Sequence, residues 1–290
     1  MKFKQILFLV LAAAIIVSAF TIPFKNNKIP WERGILNGEI SIHVRNGFKY
    51  PGYRLEGYYQ ENQRMADWKL FDKDGNLLQS RTYINNFNYE TDAFQQKPIR
   101  RNESGYFEYP ELSEKDIAYA LRVHLVINEH LLNEHPELAV GLQDLNLKGL
   151  TAYKSSDLKN KMRQKEIPEY DFSQMNEIRL MGDFFYDKRR RVMAFLILGF
   201  SPVSRETNSP SAWYYFPDMR DRLSRIPITI EHPDIKSLDD YFFLMAYPYL
   251  IYKVEGGKEI PDSDNLQQEL TYSTLEDLWM KEVSFWLDEK

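Results

Sequence analysis

The hydrophobic and polar positions of this chain change period several times, and the clearest stretch runs from residue 176 to 254. Ile178, Leu180, Phe184 and Tyr186 recur at even spacing, the mark of a half-buried strand. A charged tip, Asp187 to Arg191, follows. The chain returns through an unbroken apolar run, Val192 to Phe200, suited to a strand covered on both faces, and Pro202 is expected to end it. Next come an aromatic strand over 212–216, a short helix from Pro217, a second helix from Ser237 and a strand over 249–253.

The earlier part reads differently. Residues 55–60 and 68–72 are short alternating segments, and Asp74-Gly75-Asn76 is a strong hairpin turn because Gly and Asn tolerate positive φ. Residues 77–78 and 81–84 continue the β pattern. Ser113 with Asp116 begins a predicted helix over about 113–134, with Ile117, Leu121, His124, Leu125 and Leu132 on its apolar stripe, and His135-Pro136 stops it. A polar helix is expected after Ser155-Ser156-Asp157. The last helix is expected to begin at the capping pattern Ser273 to Glu276, with Leu275, Leu278, Trp279, Val283 and Trp286 turned inward.

Hairpins mixed with helices, rather than alternating with them, indicate α+β: an N-terminal β-hairpin repeat region followed by a mixed α+β domain. The polar stretch 95–105 reads as a linker. The expected organisation is a leader over 1–19, a β-hairpin region over 20–95 and an α+β domain over 106–290.

Composition narrows the class. Of 290 residues, 43% are hydrophobic and 27% charged, so a packed core is expected rather than disorder. Lys2 and Lys4, an apolar run over 6–17 and Ser18-Ala19 read as an export signal cut after Ala19, a retained anchor being the rival reading. There is no cysteine, so lipid attachment through a thiol, disulfides and thiolate-bound metals are excluded. Loss of the two leader lysines takes the formal charge from −5 to −7, which argues against a general nucleic-acid binder.

Candidate chemistry is sparse. His124, His130 and His135, with Glu129 and Glu134, have intervals of six and five, not the three or four that place two ligands on one helical face. Asp72 to Asn76 has calcium-loop spacing at first, but Leu77 stands where that loop needs glycine. No nucleophile elbow, phosphate loop or dinucleotide fingerprint is present, so no enzyme activity, cofactor or metal is expected. Two patterns suit protein contacts instead. Lys188, Arg189, Arg190 and Arg191 form either a solvated tip or a site for acidic partners. Trp213 and Tyr215, on alternate sides from Tyr214, are either core or interface anchors, and Arg220 follows closely.

From about Tyr170 onward the order of pieces resembles a known family. These are the Phe-Tyr-Asp-Lys-Arg turn (185–189), the Gly-Phe-Ser-Pro-Val strand end (199–203), Trp-Tyr-Tyr-Phe-Pro-Asp-Met-Arg (213–220), Ser-Leu-Asp-Asp (237–240), Ile-Tyr-Lys (251–253) and a closing acidic-aromatic helix. Together they are similar to the GldN/PorN family, periplasmic ring components of type IX secretion and gliding motility in Bacteroidota. The resemblance implies a non-enzymatic, oligomeric assembly protein of the periplasm. Its implied partners are a ring lipoprotein of the GldK/PorK type and the periplasmic arm of the motor. A monomeric periplasmic module binding peptides or glycans is the alternative. The Gly-Tyr-Tyr, Trp-Lys-Leu-Phe-Asp and Asp-Gly-Asn-Leu pieces of the first part are similar to MORN-type or YwqK-type hairpin repeats, which serve as spacers or interaction surfaces.

Overall fold

Alternation in the first part of the chain becomes a five-stranded antiparallel sheet in the computed structural model, which describes residues 27–206, 209–257, 259–260 and 263–288. The expected leader over 1–19 lies outside the described residues. A small pair, β1 (Trp31–Glu32) and β2 (Ile35–Leu36), precedes the sheet. The sheet itself orders β3 (Gly38–His43), β4 (Arg54–Gln60), β5 (Gln63–Phe71), β6 (Leu77–Tyr83) and β7 (Tyr89–Glu90) in sequence. The predicted turn joins β5 to β6. Asp72 accepts bonds from the backbone N–H of Asp74 (2.9 Å) and Asn76 (2.8 Å), and Gly75 takes φ +85°. Gly57 lies directly under the Trp68 ring, where any Cβ would collide with the indole.

The second sheet has six antiparallel strands in the order β13-β8-β10-β11-β12-β9. Its members are β8 (Ile117–Ile127), β9 (Ala152–Tyr153), β10 (Met175–Asp187), β11 (Val192–Ser204), β12 (Trp213–Tyr215) and β13 (Leu250–Val254). The helices are α1 (Glu129–Glu134), α2 (Pro136–Gln143), α3 (Arg220–Leu223), α4 (Leu238–Phe243) and α5 (Asp264–Asp288). The class is therefore α+β, as the pattern implied.

Four local expectations are corrected. The helix predicted over 113–134 is largely β8, the strand between β10 and β13; Ser113 and Asp116 do form a capping box, but it closes one 3-10 turn, Glu114–Asp116. Apolar residues at Leu121, Val123, Leu125 and Ile127 satisfy a period of two as well as a helical stripe, and burial between two partner strands decides for the strand. No helix follows Ser155; the 3-10 turn Gln164–Glu166 is the nearest element. α5 starts at Asp264 rather than at Ser273, whose hydroxyl bonds back to the Leu270 carbonyl (3.1 Å) within the helix. Pro202 sits inside β11, opposite Ile178. β12 pairs with β11 only at Gly199 and Phe200, so Pro202 lies where β11 is already an edge and needs no N–H.

α5 joins the two sheets. On the five-stranded side, Glu282 receives both arms of the Arg64 guanidinium (2.7 and 2.6 Å) and the Trp279 indole donates to the Tyr59 hydroxyl (3.0 Å). On the six-stranded side, Phe285 stacks on Tyr186 with centroids 4.3 Å apart, and Thr271 accepts the Ile251 N–H of β13 (2.7 Å). Buried apolar residues from Leu36 to Trp286 form one continuous core. Among the described residues no helix is long and apolar enough to cross a membrane.

Candidate interaction surface

The long β10–β11 hairpin carries the charged tip, and its turn is built from its own first residue. Asp187 is fully buried and accepts the backbone N–H of Arg189 (2.8 Å) and Arg190 (3.2 Å) and the Tyr109 hydroxyl (3.0 Å). Those bonds bend the chain, and Arg191 completes the turn at φ 53°. The second half of the tip then faces inward. Tyr89 and Gln96 donate to the Arg190 carbonyl (2.9 and 3.3 Å), and Arg81 donates to the Arg191 carbonyl (2.6 Å). Arg190 is 4% exposed and lies over the Tyr109 ring, its guanidinium pulled below its ordinary pKa by burial. Arg191 lies over Phe94 at 4.4 Å. Lys188 and Arg189 alone stay exposed, and Arg189 donates to the Glu111 carbonyl (2.7 Å) while facing Asp116 at 3.6 Å.

Tyr109, Glu111, Asp116, Gln96 and Phe94 among these partners belong to one strap, residues 94–116, of which the sequence presents 95–105 as a polar linker, whereas Tyr89 and Arg81 come from β7 and β6. The strap's other end is gripped by Arg220. That guanidinium makes a two-armed pair with Asp239 (2.8 Å each), donates to the Phe107 carbonyl and lies between the rings of Tyr106 and Phe243, 4.7 Å from each. Arg101, within the strap, reaches Asp240 at 2.6 Å. Burial raises the Asp239 carboxyl above its usual range despite the guanidinium beside it. The signal for the strap was present in Arg101 and in the aromatic run Tyr106-Phe107-Glu108-Tyr109.

Trp213 and Tyr215 share a face of the sheet but not their exposure. Trp213 is buried against Gly199 and Met181, whereas Tyr215, opposite Gly199, is 36% exposed. The structure thus brings Lys188 to Arg191 and Arg220 onto one strap and leaves Trp213 and Tyr215 on β12, across β11 from β10. Toward solvent the seven residues present Lys188, Arg189 and Tyr215.

The histidines stay apart. His124 is buried on β8, edge-on to Tyr252, and burial lowers its pKa to about 4 with help from Lys253 and Arg122. His130 and His135 pair with Glu134 (3.7 Å) and Glu137 (3.1 Å). Among the described residues no three His, Asp or Glu side chains gather as metal ligands.

A comparison with protein families matches residues 87–283 to the family described as "Gliding motility associated protein GldN". The match covers about two thirds of the chain and starts far upstream of Tyr170, so it takes in the strap, β8 and the 3-10 turn at Ser113 as well as the strands read from residues. A comparison with curated proteins finds no match.

Proposed function

The chain belongs to the GldN family of gliding-motility-associated proteins, and from that premise we propose that it is a non-enzymatic structural component of a type IX secretion and gliding assembly in the bacterial envelope. The observation that carries the reading is the length of the match, which includes both long strands, the strap and most of α5. Its work is binding. In the periplasm, reached through the expected leader, it repeats head-to-tail contacts that close into a ring. A lipoprotein of the GldK/PorK type ties the ring to the outer membrane, and the motor's periplasmic arm meets its other side.

Within that ring Lys188 and Arg189 meet acidic groups of a neighbour, guanidinium and carboxylate being matched for two-armed bonds. Tyr215 supplies an aromatic contact on the same molecule. Arg190, Arg191, Trp213 and Arg220 act from behind, holding the hairpin, strap and β12 in place. The region 20–95 serves as an adaptor attached to the assembling region 106–290.

Native purification from envelope fractions after cross-linking tests this reading. A large particle containing a ring lipoprotein is the expected result. Recovery of the chain as a monomer without partners overturns it.

A further inference from the structure

The strap over 94–116 is attached differently from the strands on either side of it. Its backbone bonds are its own: Asn102 N–H to the Tyr106 carbonyl (2.9 Å), Gly105 to Asn102 (3.0 Å) and Glu108 to Arg100 (3.3 Å). Among the described residues no backbone group from 94 to 115 bonds to backbone outside the strap. The first that does is the Asp116 carbonyl, which accepts the Lys188 N–H (2.9 Å) where β8 begins. Side chains hold the rest. Arg101 donates to Asp240 and to the Asp234 carbonyl (2.6 Å each), and Arg220 holds the Phe107 carbonyl. The Asn88 amide grips Ile99 by its N–H (2.7 Å) and its carbonyl (3.2 Å). Phe107 stacks on Phe243 at 5.8 Å, and Tyr109 bonds Asp187. A segment fixed in this way can leave without breaking a rung of either sheet.

Closure is unfavourable at one residue. Arg190 of the tip is 4% exposed and lies over the Tyr109 ring, yet its guanidinium is poorly answered. Nη2 meets the Asn88 side-chain oxygen at a long 3.3 Å, and Nε has no partner. Burial pulls the group below its ordinary pKa. A charged group without its full set of bonds is costly to bury. The ring that covers it belongs to the strap, so the cost is relieved when the strap leaves and water reaches the guanidinium.

We propose that the strap is a latch with two positions, closed as described and open with Arg190 turned to solvent, where it joins Lys188 and Arg189 as a third outward cation for an acidic partner. It rests on the tip's role in assembly and adds the regulation of that site. Closed, the tip offers two cations, and Tyr109 ties its turn to the strap. Open, the turn keeps the Asp187 bonds to the Arg189 and Arg190 N–H groups and offers three. Arg101 is the release point, since its side chain is 28% exposed while Asp240 is fully buried.

Hydrogen exchange and phenylglyoxal labelling of the full chain, both read by mass spectrometry, test the latch. Amides 94–112 should exchange as one unit, ahead of β5 and β10. Arg101→Met should speed that exchange about ten- to a hundredfold, the worth of a bond between charged groups, and leave β5 and β10 unchanged. Labelling of Arg190 should rise with it. Tyr109→Phe, which frees the strap at its opposite end and leaves Asp240 paired, should act in the same direction. Both variants should bind hexaglutamate about two- to fivefold more tightly than wild type, the worth of one exposed ion pair, and Arg190→Gln in either background should erase the gain. The latch is refuted if strap amides open only together with the sheets, if Arg190 stays unlabelled in both variants, or if the hexaglutamate gain survives Arg190→Gln. These readouts need one purified chain, so they stand apart from the ring, whose failure would appear as a monomer in cross-linked envelopes.

Discussion

Arg64 and Glu282 are both almost fully buried, and each answers the other's charge with two hydrogen bonds. Both side chains are shielded from solvent, so removing one partner leaves an uncompensated charge in the core. Arg64→Met should lower stability by about 3–5 kcal/mol, read as a fall in the urea midpoint, while Arg64→Met with Glu282→Leu should recover most of the loss. A double variant as unstable as the single one would show that the pair matters through shape, not charge. His124 supplies the clearest pH effect. Burial first, then Lys253 and Arg122, hold its pKa at about 4, below the ordinary 6.5, with Asp183 opposing. Between those values the unfolded chain binds a proton that the folded chain refuses. Stability therefore falls as pH drops from about 6.5 to 4, by up to about 3 kcal/mol, and is unaffected by this group above that window. His124→Leu should flatten that limb of a stability-versus-pH curve; an unchanged slope would place the acid sensitivity elsewhere.

The hairpin tip shows how one charge cluster divides at the level of an element. Lys188 and Arg189 point outward, whereas the backbone at Arg190 and Arg191 is captured by Tyr89, Gln96 and Arg81. Lys188→Glu with Arg189→Glu should therefore leave Tm nearly unchanged, within about 0.5 kcal/mol, while reducing recovery of ring partners from cross-linked envelopes. Arg190→Ala should instead cost about 1–3 kcal/mol, because it empties a packed site over Tyr109. Equal stability of the two variants would refute the inward and outward division. The turn was legible in Asp187 to Arg191, as were the two strands it joins. Its split between solvent and interior was not, because the partners lie about a hundred residues upstream. β8 failed for a related reason: Leu121 to Ile127 fits two periods, and only the neighbours β10 and β13 choose between them.

At the scale of the whole molecule, α5 makes the two sheets depend on each other. Its indoles, Trp279 and Trp286, face Tyr59 and the Arg81 guanidinium (3.6 Å), while Phe285 and Thr271 face the other sheet. Trp279→Ala should cost about 3–5 kcal/mol and lower both sheets together. Far-UV and near-UV signals should then give coincident unfolding transitions in wild type and variant alike; two separated transitions would mean that the sheets unfold independently. Residue order alone determined the α+β class, the hairpin turn at Asp72 to Asn76, the β10–β11 hairpin, the helix beginning at Ser237 and the likeness to the GldN family, since each rests on local periodicity, turn chemistry or spacing. Tertiary structure alone decided that β8 is a strand, that the polar linker over 95–105 is bound at Gln96 and Arg101 and continues into a stretch clamped by Asp187 and Arg220, and which arginines face water. Those outcomes depend on burial against residues far away in sequence, and burial is a property of the folded neighbourhood that no local window contains.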